Sequence, residues 1–231
     1  MRAGLRRLPL LRAAVKRYRR LMRPAKLGTL RRTTPLSTVW GGDRGTPIDR
    51  YYIERLLEKH RQDIRGRLLE VGDSRYTDRF ATEVVSSDVL DVDKANAKAT
   101  IIADLAHADG IPSDYFDCFL LIQTLQYVFD VRAAVRHAHR ILRAGGVLLI
   151  TVPAVSRVDP GLVDYWRFTI ASCSALLNDV FSAERVTVCS YGNVLTAIGS
   201  LSGMAREELT TEELDYCDDF FPVLIAACAV K

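Results

Sequence analysis

The sequence predicts an α/β fold, with one domain built on a doubly wound parallel sheet. Short apolar runs alternate with amphipathic helical stretches along most of the chain. The run at 116–125 is almost wholly apolar, as expected of a central strand that is buried on both faces. At 231 residues, the chain is long enough for one sizeable core and accessory segments.

The elements are predicted in the following order. A helix that begins near Pro47 and ends before Gly66 precedes the first strand, at 68–71. Four further apolar runs predict strands at 83–88, 100–105, 116–125 and 147–152. A helical stripe at 131–142 separates the last two, and Gly145 and Gly146 end that helix. The remainder of the chain predicts a helix at 170–180, a strand at 185–190, a helical stretch at 193–214 and a final strand at 223–230.

Positive charge is concentrated near the N-terminus. The formal net charge is +4, but residues 1–40 contain twelve Lys or Arg and no acidic residue. Removing those twelve charges leaves −8 for residues 41–231. A folded body of that charge would repel phosphate, so we expect no nucleic-acid partner.

Residues 1–30 predict a basic amphipathic helix. Leu11, Val15, Tyr18 and Met22 recur at helical spacing, and Arg and Lys fill most of the remaining arc. Such a helix could lie on an anionic membrane surface, dock on the body or on a partner protein, or serve as an organellar presequence or poorly ordered leader. Turn and breaker residues predict a linker at 31–46, which leaves the domain at 47–231.

The five cysteines are scattered, with no CxxC pair and no Cys/His cluster. We therefore expect reduced thiols, no disulfides and no metal site, in a cytoplasmic protein. If the N-terminal helix binds lipid, the protein would be peripheral on the inner face of the membrane. No apolar run approaches the roughly 18 residues that a membrane span requires.

The stretch RLLEVGDSRY, residues 67–76, is the most informative part of the chain. Its apolar run ends abruptly at Gly72, as where a buried parallel strand meets a tight turn. A residue without a Cβ lets the backbone approach a nucleotide-like ligand closely. Glu70 and Asp73 place carboxylates beside that turn, which favours an ammonium, a sulfonium or ribose hydroxyls over a phosphate. An ordinary strand followed by a polar turn is the simpler alternative.

Several motifs further along the chain agree with this stretch. They are EVG at 70–72, an acid after the second strand, AD at 103–104, FDCFLLIQTLQYV, HRILRAGGVLLITVP and DYWRFT at 164–169. In this order they resemble the class I S-adenosylmethionine-dependent methyltransferases, and most closely the type 11 group. The resemblance covers roughly residues 47–231. It implies a Rossmann-like, seven-stranded sheet with an antiparallel terminal strand, and S-adenosylmethionine as cofactor.

The resemblance assigns residues at the methionyl end of the cofactor. The backbone at Gly72 would lie under the methionyl group, Glu70 would orient the turn, and Asp73 would lie beside it. Gln123, after the fourth strand, would face the point where donor and acceptor meet. The turn GDSRY has fewer glycines than the family usually shows. Arg75 would compensate by pairing with the cofactor carboxylate; alternatively, the chain has kept the fold without the reaction.

The resemblance also assigns the nucleoside end. Asp88 would accept hydrogen bonds from both ribose hydroxyls, with Asp91 and Asp93 as rivals because strand ends are hard to predict. Asp104 would meet the adenine amino group, and Leu105 would lie beside the ring.

Two loops supply candidate acceptor residues. His107 and Asp164 are candidate bases for an alcohol acceptor. Tyr165, Trp166 and Arg167 are candidate substrate residues, since an aromatic pair beside an acid and an arginine could stack on a sugar and bind its hydroxyls. DYWRFT also resembles a segment of type 11 members associated with glycan and polysaccharide assembly. The simpler alternatives are an exposed loop histidine and aromatic residues that pack under the next helix.

The favoured function is therefore methyl transfer from S-adenosylmethionine to a hydroxyl of a sugar, glycan or other small molecule, as an O-methyltransferase. The alternative is a methyltransferase-like binding module or inactive subunit. A nicotinamide-dependent oxidoreductase is disfavoured, because GDSRY lacks the glycine spacing for a pyrophosphate and has acids beside the turn.

Overall fold

A computed structural model describes residues 9–22, 28 and 31–231 of the chain. The chain divides into two units, residues 1–35 and residues 36–231. The described helix of the first unit is α1, Pro9–Met22. The rest of the predicted N-terminal segment, at 1–8, 23–27 and 29–30, lies outside the described residues. Among the helices that the structure describes, none has the length and apolar character needed to cross a bilayer.

The second unit has three layers, with a sheet between two layers of helices. Its helices are α2 (Ile48–Lys59), α3 (Arg75–Phe80), α4 (Val131–Ile141), α5 (Ile170–Asn178), α6 (Val194–Ser202) and α7 (Thr211–Asp215). Its strands are β1 (Gly66–Val71), β2 (Val84–Asp91), β3 (Ile101–Ile102), β4 (Phe116–Ile122), β5 (Leu142–Pro153), β6 (Val186–Tyr191) and β7 (Leu224–Val230).

The seven strands lie in the order β3-β2-β1-β4-β5-β7-β6. Strand β7 is antiparallel to both of its neighbours, and the other pairs are parallel. The predicted fold, a mostly parallel seven-stranded sheet with an antiparallel terminal strand, is confirmed. The strand order reverses between β1 and β4, and this is where ligands bind in open α/β sheets.

The strands bury side chains on both faces because helices cover both sides of the sheet. Leu69 and Phe119 pack on one face, in the cluster that contains α4 and α5. Leu68 and Leu120, their chain neighbours, pack on the other face against α2. This alternation follows the two-residue period of a strand, and it explains why the central runs are almost continuously apolar.

Strand β2 is longer than predicted. It ends at Asp91, whereas the prediction ended it at Asp88. Asp88 lies opposite Leu69 within the parallel ladder, and the buried pair Val89 and Leu90 continues the strand. The first half of β2 is largely exposed, because its outer neighbour β3 has only two residues. Polar residues are tolerated there, so an acid did not mark the end of the strand.

Other boundaries also differ. The single helical stretch predicted at 193–214 is two helices, α6 and α7, because the chain after α6 turns at Gly203 with a φ of +77°. Helix α3 lies between β1 and β2, where no helix was predicted. Strand β5 begins at Leu142, so Gly145 and Gly146 belong to the strand and not to the end of α4. Residues 36–46, predicted as linker, are part of the second unit.

Candidate active site

A cavity of about 570 Å³ lies at the carboxyl ends of β1 and β4, where the strand order reverses. Its volume is in the range of small-molecule binding sites. Three segments supply most of the lining: the turn after β1, the segment after β4, and residues 39–53, which include the loop before α2. The loop packs closely on the rest of the second unit at Gly41, where a Cβ would lie only 2.5 Å from the carbonyl oxygen of Met204.

The turn after β1 faces open space, and a buried side chain fixes its backbone. Gly72 has a φ of +83°, and a Cβ placed on it would meet no atom within 4 Å. The buried carboxylate of Glu70 accepts hydrogen bonds from the backbone N–H groups of Tyr76, at 3.1 Å, and Thr77, at 2.8 Å. Burial raises the pKa of Glu70. Glu70 therefore fixes the turn and the start of α3, and both of its carboxylate oxygens already accept hydrogen bonds from the protein.

Arg75 does not extend into the cavity as a free cation. Its Nε lies 2.9 Å from both carboxylate oxygens of Asp73, and its terminal nitrogen donates to Oδ2 at 2.6 Å. The hydrogen bond from Arg75 lowers the pKa of Asp73. The prediction that Arg75 pairs with a cofactor carboxylate does not fit this ion pair, which neutralises both residues.

Arg50 is a second arginine that lines the cavity, at the first turn of α2. Its backbone N–H donates to Asp49 Oδ1 at 2.9 Å, while its guanidinium has no hydrogen-bond or ion-pair partner among the described residues. Asp49 also lines the cavity, and burial raises the pKa of its carboxyl. One helical turn thus presents an available positive group and an acid side by side.

The end of β2 brings an acid to the turn. Asn96 Nδ2 donates to Gly72 O at 2.7 Å and to Asp91 Oδ2 at 2.6 Å. Asp88, three residues earlier, accepts a hydrogen bond from Thr100 Oγ1 at 2.8 Å. Asp93 Oδ1 accepts from a backbone N–H in the following turn. Of the three acids, Asp91 is the one joined to the turn through Asn96, so the ribose role is carried forward below as a proposal for Asp91, the predicted rival of Asp88.

The end of β3 lies at the edge of the sheet. Asp104 accepts a backbone hydrogen bond from Ala106 at 2.9 Å, and its Oδ2 lies 3.0 Å from His107 Nδ1. Leu105 beside it is buried, whereas the His107 side chain is 81% exposed. Strands β2 and β1 separate this loop from β4, a distance of about 14 Å at the usual strand spacing. His107 is therefore badly placed to act as a base near the end of β4.

The segment after β4 is held in an unusual conformation. Gln123 has a φ of +47°, which non-glycine residues rarely adopt, and its N–H donates to Thr151 O at 2.9 Å. Its carbonyl oxygen accepts a 2.8 Å hydrogen bond from Gln126 Nε2. Both glutamines line the cavity. Strained backbone that the surroundings maintain is often found at functional sites.

The DYWRFT segment is attached to the segment after β4. Gln126 O accepts hydrogen bonds from the N–H groups of Tyr165, at 2.8 Å, and Trp166, at 3.3 Å. Phe129, Tyr165 and Trp166 form an aromatic cluster with ring centroids 5.3 and 6.3 Å from Phe129. All three rings are exposed, at 70%, 45% and 38% respectively. We call this group the aromatic surface.

Asp164 and Arg167 hold this segment in place. Arg167 forms a two-pronged ion pair with Asp164, whose side chain is 3% exposed. The other hydrogen bonds of Arg167 go to the backbone carbonyls of Ser156, Arg157 and Trp166. The hydrogen bond from Arg167 lowers the pKa of Asp164, which makes that carboxylate a poor base. The predicted roles of Asp164 as base and Arg167 as sugar ligand therefore do not fit.

Comparison with known proteins identifies the fold and matches part of the chain to a family. Residues 67–150 match the type 11 family model, described as a methyltransferase domain. Similar structures include S-adenosylmethionine-dependent methyltransferases from Archaeoglobus fulgidus (12% identity, TM-score 0.53, 79% of this chain and 94% of that chain) and Mesorhizobium loti (19%, 0.55, 80% and 100%). A putative methyltransferase from Bacillus halodurans is also similar (13%, 0.51, 78% and 98%). At these identities the structures show a shared fold, and no curated protein matches the sequence.

Residues 67–150 thus match a methyltransferase domain, and the chain has the class I methyltransferase fold. Both findings indicate S-adenosylmethionine as the cofactor. The residues of the methyltransferase site fit that group chemically. The space in front of Gly72 is open, and Arg50 and Asp49, which line the cavity, suit a carboxylate and an ammonium. Asp91 does not line the cavity itself, but it is joined to the turn at its edge through Asn96, and its carboxylate suits a diol. Two cavity-lining carboxylates, at 70 and 73, already have partners in the protein, so they do not make the methionyl pocket strongly negative.

The structure brings some of the predicted residues of the methyltransferase together and separates others. Those that line the cavity are Glu70, Gly72, Asp73, Arg75 and Gln123. Those that do not are Asp88, Asp104, Leu105, His107, Asp164, Tyr165, Trp166 and Arg167.

Sequence reasoning missed Arg50, Asp49 and Gln126 as site residues of the methyltransferase. A signal for the first two was present, because GGDRGTPIDRYY concentrates Gly, Asp, Arg and Tyr before and within the first turn of α2. Gln126 gave no such signal. A single glutamine in an apolar stretch has no pattern, and its importance depends on burial and partners.

Proposed function

We propose that the chain transfers the methyl group of S-adenosylmethionine to a hydroxyl of a sugar, glycan or other hydroxylated small molecule. The observation that carries this proposal is the aromatic surface of Phe129, Tyr165 and Trp166. It is hydrogen-bonded through its backbone to Gln126, which lines the cavity. Exposed aromatic rings beside a polar cavity suit a ring-shaped, hydroxylated acceptor, because one face of such a molecule is apolar and its edge is polar.

In this proposal, four residues hold the cofactor. The guanidinium of Arg50 pairs with the methionyl carboxylate, and Asp49 accepts hydrogen bonds from the ammonium group. Asp91 accepts hydrogen bonds from the ribose hydroxyls, and Asp104 accepts one from the adenine amino group. The support is that Arg50 and Asp49 line the cavity, and that Asp91 is tied through Asn96 to the turn at its edge.

The cofactor supplies an electrophilic methyl group on a positively charged sulfur. The protein therefore has to align the acceptor oxygen and to exclude water. In this proposal, loop residues 39–47 help to exclude water from the cavity. Trp40 donates a hydrogen bond to Ser156 Oγ at 3.3 Å, and the guanidinium of Arg157 stacks on the Trp40 ring at 3.5 Å. These contacts connect the loop before α2 with the loop after β5 at the side of the cavity. The C–O bond forms as the C–S bond breaks, and S-adenosylhomocysteine is the leaving group. The proton on the methylated oxygen is then strongly acidic and passes to bulk water as the product leaves, without a dedicated base.

The proposal is tested by calorimetry followed by labelling. The full chain should release heat on titration with S-adenosylmethionine, and it should transfer labelled methyl groups to members of a panel of methyl glycosides. The labelled product should survive mild alkali, as an ether does and a methyl ester does not. No heat at millimolar cofactor would instead support the alternative, a methyltransferase-like binding module or inactive subunit. Heat with labelling of amines alone would contradict the hydroxyl acceptor.

We also propose that α1 holds the enzyme on the cytoplasmic face of an anionic membrane, where a lipid-linked glycan acceptor would be available. Helix α1 carries five basic residues and no acidic one. Val15, Tyr18, Leu21 and Met22 are exposed on it, between 38% and 69%. A basic helix with an exposed apolar face suits the interface of an anionic bilayer. A partner protein is the alternative occupant of that face.

A further inference from the structure

We infer that the side-chain amide of Gln126 orients the methyl acceptor, by accepting a hydrogen bond from the hydroxyl that becomes methylated. This inference rests on the proposed function and names the group that selects the acceptor atom. Gln126 lines the cavity beside Gln123.

Gln126 is buried yet incompletely hydrogen-bonded. The residue is 4% exposed, and its Oε1 makes no hydrogen bond of normal geometry among the described residues, although the Tyr127 hydroxyl lies close to the same side chain. A buried acceptor without a donor costs free energy, so such atoms are uncommon in folded proteins. An unpaired acceptor at a cavity wall is accounted for if a ligand supplies the donor.

The orientation of the amide is fixed by its other end. Gln126 Nε2 lies 2.8 Å from the carbonyl oxygen of Gln123, which can only accept a hydrogen bond. The nitrogen must therefore occupy that position, and Oε1 remains as the group without a partner. Flipping the amide would place two acceptors against each other.

The backbone on both sides of the amide is also fixed. The strained conformation of Gln123 is maintained by its hydrogen bond to Thr151 O. The carbonyl of Gln126 accepts hydrogen bonds from Tyr165 and Trp166, so the amide and the aromatic surface share one support. A rigid acceptor atom next to a surface for the acceptor ring can select one hydroxyl of that ring.

An amide oxygen suits this role because it accepts a hydrogen bond without taking the proton. It would orient a lone pair of a neutral hydroxyl, and it would exclude an ether oxygen, which has no hydrogen to donate. A carboxylate at the same position would act as a base as well. That difference gives the inference a readout that a packing role would not produce.

The first test is cofactor binding to Gln126→Leu. Leucine is close to glutamine in size and lacks hydrogen-bonding groups. We expect the dissociation constants of S-adenosylmethionine and S-adenosylhomocysteine to stay within about twofold of the wild-type values, because the amide contacts the acceptor and not the cofactor. Gln62→Leu, which replaces an exposed glutamine, is the matched control. A crystal structure with S-adenosylhomocysteine should show Oε1 directed at the space beside the sulfur.

The second test is acceptor kinetics, with the best methyl glycoside of the panel. For Gln126→Leu we expect kcat/KM to fall at least about tenfold, as for loss of a buried hydrogen bond. The wild type should also discriminate against the analogue that is already methylated at the reactive position, when both are compared as inhibitors, and Gln126→Leu should not. For Gln126→Glu we expect a new ionisation in the pH profile of kcat/KM, because glutamate can accept the proton.

The outcomes separate this inference from the proposed function. If the wild type binds no S-adenosylmethionine, the proposed function fails. If only Gln126→Leu loses cofactor binding, or if Oε1 contacts the cofactor in the crystal, Gln126 is a cofactor residue and the inference is overturned while the function stands. Unchanged acceptor kinetics in Gln126→Leu would overturn it as well.

Discussion

The side-chain amide of Asn96 donates a 2.6 Å hydrogen bond to the carboxylate of Asp91, and the same nitrogen donates to the carbonyl oxygen of Gly72 at 2.7 Å. One amide thus joins the end of β2 to the turn after β1. The carboxylate keeps further lone pairs for a diol, because each of its oxygens can accept more than one hydrogen bond. In the proposed function, this contact positions the nucleoside end of the site.

The Asp91 assignment predicts that Asp91→Asn weakens binding of S-adenosylmethionine by at least about tenfold, since hydrogen bonds from the ribose hydroxyls to a charged group are lost. Asp88→Asn should change the dissociation constant by less than about twofold, because Asp88 binds Thr100 within the strand. Calorimetry on both variants measures the difference. The opposite ranking of the two variants would restore Asp88 as the ribose ligand.

The difference between the predicted end of β2, at Asp88, and its observed end, at Asp91, shows which features the sequence could and could not reveal. The central strands were predictable, because burial on both faces demands an apolar run. The end of β2 was not, since its first half lies beside the two-residue strand β3 and is exposed. Polar residues inside an exposed strand look like the end of a strand. An acidic residue at the end of β2 was predicted correctly. Its position in the chain was not, because it depends on the neighbouring strand.

Arg50 is predicted to bind the amino-acid end of the cofactor. Arg50→Gln should raise the dissociation constant of S-adenosylmethionine about tenfold or more, because a charge-assisted hydrogen bond is lost. Binding of 5′-methylthioadenosine, which lacks the amino-acid group, should stay the same. Arg132→Gln is the matched control, since Arg132, which lies on α4, forms an exposed ion pair with Asp179 at the end of α5. Equal losses for both ligands would show that Arg50 supports the fold instead.

Ion pairs explain why Arg75, Asp164 and Arg167 are engaged within the protein. Arg75 has Asp73 as a partner two residues away, and Arg167 has Asp164 three residues away. The amino-acid sequence alone does not show whether an acidic residue and an arginine bind each other or a ligand. The decision rests on backbone geometry and burial, and in both places the protein pairs them with each other.

Asp164 is predicted to stabilise the fold and not to act as the base. The hydrogen bond from Arg167 holds the pKa of Asp164 below its usual value of 3.8. A carboxyl with a lowered pKa adds stability that is complete above its unfolded pKa, about 3.9, and is lost as the pH falls through the folded value. Asp164→Asn should therefore lower the free energy of unfolding at neutral pH by about 2 kcal/mol, less than for a fully buried pair because Arg167 is 29% exposed.

Urea unfolding followed by tryptophan fluorescence measures this effect. The deficit of Asp164→Asn should be constant between about pH 5 and about pH 8, and it should shrink below about pH 4. Methyl transfer per folded molecule should stay within about threefold of wild type. A large fall in kcat with unchanged stability would contradict the structural role and return Asp164 to the candidate bases.

The exposed face of α1 predicts binding to anionic lipid. The full chain should co-sediment with phosphatidylglycerol vesicles and not with phosphatidylcholine vesicles, and added salt should weaken the binding, because basic residues near an anionic surface contribute about 1 kcal/mol each. Tyr18→Asp should lower the affinity about tenfold, since it puts a charge into the apolar face. Val85→Asp is the matched control, because Val85 is 75% exposed on β2. Equal effects of the two variants, or equal binding to neutral vesicles, would favour a partner protein as the occupant of this face.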